Sequence, residues 1–141
     1  MADGSNAADL WAFLPFGYLL SILIETPVLL VGLSARHPLG RRLFAGVWLT
    51  ACTYPIVVLV LPLLLSDSKV LYLIVAEMFA PVAECLLFWT AFGRRELLGT
   101  HSMWRDMLAI VVANLASFGV GEALRALGWL DWLPGVGRAE S

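Results

Sequence analysis

The chain has 141 residues, 60% of them hydrophobic and only 14% charged, with a mean hydropathy of +0.85. A domain this small buries only part of its surface in one core, so the composition excludes a water-soluble globule and a disordered tail. A formal net charge of −2 excludes a nucleic-acid-binding protein, which needs a basic face.

A helix needs about 20 mostly apolar residues to cross the ~30 Å hydrocarbon layer of a bilayer. Four stretches meet that length. The first covers about residues 10–33 and carries Tyr18, Ser21, Glu25 and Gly32 along one helical stripe, with Pro27 two residues past the glutamate. A basic loop, 34–42, follows with Arg36, His37, Arg41 and Arg42. The second stretch, about 43–65, aligns Gly46, Thr50, Thr53 and Tyr54, and contains Pro55 and Pro62. A short SDSK turn leads to the third, about 70–92, in which Glu77 and Glu84 lie two turns apart on one face with Ala80 and Pro81 between them. A second basic loop, 93–106, holds Arg94, Arg95, His101 and Arg105. The fourth stretch, about 107–127, repeats Asn114, Ser117 and Gly121 at helical spacing and ends in a Glu122–Arg125 pair, one turn apart.

Short connections between four apolar helices predict an all-α integral membrane protein, an antiparallel four-transmembrane-helix bundle forming a single domain over 1–141. No stretch shows the two-residue alternation of a barrel strand. Six of the nine basic residues lie in loops 34–42 and 93–106, so the positive-inside rule predicts that those loops are cytoplasmic and both termini face out. Trp11, Trp104, Trp129 and Trp132 fall at span ends, where indole suits the headgroup layer. The amino terminus carries no basic residue ahead of its apolar run and does not read as a secretory signal. Eight arginines against one lysine associate the chain with a bacterial cytoplasmic membrane.

The two hairpins echo each other. In each, a glutamate (Glu25, Glu84) precedes a GRR loop, and then comes a polar-x-x-[Ser/Thr]-x-[Pro/Gly] pattern, TACTYP in the first hairpin and NLASFG in the second. A tandem duplication of a helical hairpin is the expectation, with its pseudo-axis along the membrane normal. The small series Ala113, Ser117, Gly121 predicts close helix approach in the fourth span.

Ionisable groups at membrane depth cost about 2.5–3.5 kcal/mol each on insertion scales and mark functional sites by default. Glu25, Glu77 and Glu84 are therefore the candidate substrate- or ion-binding residues, with Asn114, Thr50, Thr53, Tyr54 and Ser117 as neutral ligands. Glu122 and Arg125 are secondary candidates. Prolines 27, 55 and 81 free the carbonyls of Leu23, Ala51 and Glu77, a second potential source of oxygen ligands. The bland alternative is that protonated glutamates are hydrogen-bonded glue between helices, worth about 1 kcal/mol or less per contact.

Enzyme signatures are missing: no HExxH, no GxSxG, no phosphate-cradling glycine loop. Both histidines fall in the basic loops and no aspartate falls inside a predicted span, so neither a catalytic residue, a metal site nor a cofactor is expected. Cys52 and Cys85 read as small packing residues. The first helix, with Tyr18, Ser21 and Glu25 on one face, resembles that of the small multidrug-resistance transporters. Those chains are shorter and generally lack carboxylates in helices three and four. The resemblance implies only that a single buried carboxyl can exchange a proton for a cationic substrate.

The sequence thus points to transport of a cation or proton-coupled small solute through a buried glutamate-rich site. The alternatives are a non-catalytic subunit or assembly factor of a larger membrane complex, and, more weakly, a carboxylate-based lipid-modifying enzyme. The expected surroundings are the lipid bilayer, a proton or cation ligand, and further copies of the chain or other membrane subunits.

Overall fold

The computed structural model describes residues 4–65, 67–93 and 101–130, with side chains from residue 11 onward. Four long helices account for nearly all of them: α1 (Gly4–Gly32), α2 (Leu39–Leu64), α3 (Lys69–Phe92) and α4 (His101–Ala126). Among the described residues there is no strand. All four helices are long and apolar enough to cross a membrane; each overlaps a predicted stretch, with α1 and α4 beginning earlier than predicted, at Gly4 and His101. Arg94, Arg95 and Trp132 lie outside the described residues, while Trp104 and Trp129 stand exposed at the two ends of α4 and Trp11 stands exposed at the start of the apolar part of α1.

The helices close into a ring in the order α1, α2, α3, α4, with α4 returning to α1. Neighbours run antiparallel. On α1 and α2, Arg42 reaches Leu30 near the loop while Tyr54 packs on Gly17 at the far end. On α3 and α4, Asn114 reaches Glu84 while Cys85 reaches Met107, again with one number rising as the other falls. Helices α1 and α3 are therefore diagonal partners that face each other across the bundle centre.

Two glycines set the closest approaches. A Cβ on Gly46 would lie 3.0 Å from the Thr26 backbone, and one on Gly32 would lie 2.7 Å from the Ala109 Cβ. Of the Ala113–Ser117–Gly121 series, Ala113 is fully buried in the core and Ser117 Oγ reaches Ser21 Oγ on α1, while Gly121 has nothing within 4 Å of where its Cβ would stand. Gly46→Ala should accordingly push α1 from α2 and lower stability by about 1–3 kcal/mol, the usual cost of overpacking. Gly119→Ala, which also meets nothing within 4 Å, should be neutral or slightly stabilising when both are compared by thermal melting in detergent.

α2 is not uniform. It is α-helical over Leu39–Pro55, π-helical over Ile56–Val60 and α-helical again over Leu61–Leu64. Pro55 and Pro62 each lack an N–H, and between them the ladder slips by one residue, so that the Leu61 N–H reaches the Ile56 carbonyl. The exposed carbonyl of Val57 is taken by the Tyr72 hydroxyl of α3 at 3.3 Å. At the end of α4, Gly128 adopts φ 71° while Trp129 N–H bonds the Leu124 carbonyl and Gly128 N–H that of Arg125. That is a Schellman stop, which glycine alone adopts without strain.

The dry core lies toward the 33–38 loop. Leu29, Leu33, Ala45, Leu49, Phe88, Ala109, Ile110 and Ala113 form one contiguous buried cluster there. Elsewhere the helices are apolar outward as well: Leu23, Val31, Leu63, Met78 and Leu108 are each well over half exposed.

Candidate functional site

Immediately beyond this core, at mid-bundle, sit two carboxyl groups. Glu25 on α1 is 4% exposed and Glu84 on α3 is 1% exposed. Both line the same cavity. Glu25 Oε2 is 2.7 Å from Thr50 Oγ1 on α2. Glu84 Oε1 is 2.7 Å from Thr53 Oγ1 on α2, and its Oε2 accepts a 2.8 Å bond from Asn114 Nδ2 on α4. Ser117 Oγ also donates to Ser21 Oγ at 3.1 Å.

The two hairpins share part of this pattern. Each glutamate bonds the first polar residue of its own hairpin's second helix, Thr50 or Asn114. Glu84 also bonds Thr53, a hydroxyl of the opposite hairpin, whereas the matching Ser117 bonds Ser21. Thr50 and Asn114 share another trait, a back-bond to the carbonyl four residues earlier, Gly46 or Ile110.

The carboxyl pair floors a cavity of about 260 Å³. All the lining residues lie at the glutamate layer or beyond it toward the chain termini. They run from Phe13 to Glu25 on α1, Thr50 to Val57 on α2, Ala76 to Glu84 on α3 and Asn114 to Arg125 on α4, with Leu130 at the mouth. On the loop side of the glutamates no residue lines it, because the dry core fills that space. The walls are largely carbon, including Phe13, Leu20, Val57 and Phe118, with polar groups gathered at the floor and mouth.

All ten sequence-predicted site residues line this one cavity, at different depths. Glu25, Glu84, Thr50, Thr53 and Asn114 are buried at the floor. Ser117 and Tyr54 are half-buried beside them, the Tyr54 hydroxyl occupying the notch left by Gly17. Glu77 is half-buried higher up and takes no part in the floor's bonding. Glu122 and Arg125 are ion-paired near the mouth. Tyr18, on the predicted stripe of α1, instead points at α2 and donates to the Val47 carbonyl at 3.3 Å. Among the described residues no group of three or more His, Cys, Asp or Glu could hold a metal ion.

A second polar cluster, unexpected from sequence, seals the opposite end. Asp106 is completely buried and accepts from Ser34 N–H at 2.6 Å, Ser34 Oγ at 3.1 Å and Arg36 Nη2 at 2.7 Å, with His37 Nε2 also at 3.1 Å. The sequence places the start of the fourth stretch after this aspartate, at about 107, but α4 is already helical at His101, so Asp106 lies inside a helix long and apolar enough to cross a membrane. His37, assigned to a loop, is 2% exposed and packs edge-on against Phe88. Burial lowers its pKa, against the opposing pull of Asp106. Arg42 and Arg105 complete the seal by donating to the carbonyls that end α1, Leu30 for the first and Gly32 for the second. The signal for Asp106 was its register: it precedes Asn114 by eight residues, on the same buried face as Ile110 and Ala113.

No family model, curated protein or solved structure matches this chain.

Proposed function

We infer that the chain is a small membrane-embedded carrier for a cation or proton-coupled small solute, with Glu25 and Glu84 as its binding carboxyls. The observation that carries this reading is the placement of two buried acids from diagonal helices at the floor of a cavity closed at one end. An exterior of exposed Leu, Val, Met and Trp side chains supports insertion in a bilayer. With the basic loops cytoplasmic, as in a bacterial inner membrane, the termini and the cavity mouth face out. The matching Glu25–Thr50 and Glu84–Asn114 contacts support an origin of the hairpins by tandem duplication, as a parallel repeat.

The mechanism follows from electrostatics. A carboxyl in an apolar cavity is cheapest to hold neutral, and an arriving cation makes the ionised form cheap instead, so solute and proton compete. The dry core and the Asp106 cluster block onward passage, which suits a carrier that must repack rather than an open channel. The competing subunit reading needs the glutamates to meet groups on neighbouring chains; here Glu25 and Glu84 are satisfied within their own bundle.

The test is reconstitution of the purified protein alone in liposomes. Imposed gradients of inorganic and organic monocations should drive counter-movement of protons, read with an entrapped pH dye. Silence toward the whole panel, with a co-purifying membrane partner in mild detergent, would overturn the carrier reading in favour of the subunit one.

A further inference from the structure

The hydroxyl groups at the cavity floor allow its hydrogens to be counted. Thr50 Oγ1 lies 2.9 Å from the Gly46 carbonyl and 2.7 Å from Glu25 Oε2. Thr53 Oγ1 lies 3.1 Å from the Leu49 carbonyl and 2.7 Å from Glu84 Oε1. A threonine hydroxyl has one hydrogen to give. Facing a carbonyl and a carboxylate, both pure acceptors, it could serve only one of them well. Helical threonines habitually give that hydrogen to the carbonyl one turn back. The short contact to each carboxyl is then made with a hydrogen that the carboxyl itself supplies.

Asn114 says which oxygen carries it. Both amide hydrogens of Asn114 are committed, one to Glu84 Oε2 at 2.8 Å and one to the Ile110 carbonyl at 3.0 Å. Oε2 of Glu84 is thus an acceptor, and the acid hydrogen sits on Oε1, facing Thr53. The chain Asn114 N–H to Oε2, Oε1–H to Thr53, Thr53 O–H to Leu49 leaves every member paired. The surroundings offer no countercharge that would favour ionisation. The titratable groups facing the pair are Tyr54 on α2, Glu77 and Cys85 on α3, and Glu122 and Arg125 on α4, and Arg125 is paired with Glu122.

We propose that Glu25 and Glu84 are two proton-binding half-sites, each holding one proton in a hydrogen bond to a threonine whose own hydrogen is given to a helix carbonyl. The proposal rests on the cavity as the solute site and adds the number and address of its protons. On loading, a monocation displaces one proton and a dication two. The proton leaves the carboxyl for water in the cavity. The threonine hydroxyl turns its own hydrogen from the carbonyl to the new carboxylate, so the charge gains a donor as it forms. Thr50 and Thr53, both on α2, are fixed in the same way by the carbonyl one turn back, each against a carboxyl from one of the two diagonal helices.

Infrared spectroscopy of the protein in lipid at neutral pH tests this without any solute, by the C=O stretch of protonated carboxyls. The wild type should show the band, Glu25→Gln and Glu84→Gln should each remove about half of the amplitude lost in the double variant, and Thr53→Val should shift the Glu84 component without removing it. The threonine variant keeps every carboxyl and so reports even if a glutamine variant folds poorly. Absence of the band in the wild type, a band undiminished in the double variant, or loss confined to one glutamate would overturn the proposal. A band of the expected kind with no transport in liposomes retires the carrier reading alone, and transport with no band retires the proton sites alone.

Discussion

Asp106→Ala should be the most destabilising single substitution in the described part of the chain, lowering unfolding free energy by about 3 kcal/mol, the lower end of what removing one member of a buried ion pair costs. The carboxylate is fully buried and is the common acceptor for Ser34, Arg36 and His37. Alanine strands the Ser34 N–H, which has nothing else to bond, and unpaired buried donors carry their full desolvation penalty. The penalty stops short of the upper end because the Arg36 side chain is 26% exposed and can turn to water. Asp106→Asn should fall between alanine and wild type: it keeps an oxygen for Ser34 but turns an N–H₂ toward the guanidinium. Denaturant titration in detergent micelles checks the order. Equal stability of all three proteins would mean the cluster holds nothing together.

The same cluster carries a pH dependence. His37 has a folded pKa below its unfolded value because burial disfavours the imidazolium. The unfolded chain therefore binds the extra proton more readily, and stability rises with pH across that interval. The contribution is complete above about pH 6.5, the ordinary histidine value, and is lost as pH falls below it toward the folded pKa. Melting temperatures of wild type and His37→Gln should diverge at neutral pH and converge in acid; parallel curves would exclude His37 as the titrating group.

The largest functional effect is expected from Glu25→Gln and Glu84→Gln, each of which should reduce solute-coupled proton movement in liposomes to background while leaving the melting temperature nearly unchanged. Glutamine reproduces a protonated glutamate in shape and bonding: its carbonyl can accept from Asn114 and its N–H₂ can donate to the threonine. What it lacks is a proton to release. Glu77→Gln makes the contrasting case, since Glu77 takes no part in the floor's bonding, and it should retain movement with altered apparent affinity. Full movement in both floor variants would show that the carboxyls serve packing alone.

Much of this architecture is legible in the chain because helices long and apolar enough to cross a membrane announce themselves, and because acids inside them are conspicuous. Glu25, Glu84, Thr50, Thr53 and Asn114 meet as their helical spacing suggests. Glu77 shares a helix face with Glu84 but sits two turns nearer the mouth, a depth that spacing on one helix cannot assign. Asp106 was hidden for a different reason. A hydropathy boundary falls where the average turns apolar, and Arg105 and Asp106 pull that average down although the helix runs straight through them. Asp106 is satisfied by the 33–38 loop and Arg105 by the carbonyls that end α1, partners that only the fold brings near.

On the proposed reading of a carrier built from two parallel repeats, the likeness of the hairpins has a consequence for how such a bundle could turn itself over. Leu29 and Phe88 lie one turn past the two glutamates, and Leu49 and Ala113 lie one residue before Thr50 and Asn114, so both hairpins contribute to the dry core in the same way. Their pseudo-axis runs along the bundle, and rotating one hairpin onto the other sends loop end to loop end. Inverted repeats would let each half adopt the other's conformation and open the opposite side. Parallel ones do not. An arrangement open at the loop end has no template in the present one, and reaching it means building a cavity where Phe88 and Leu49 now touch no water.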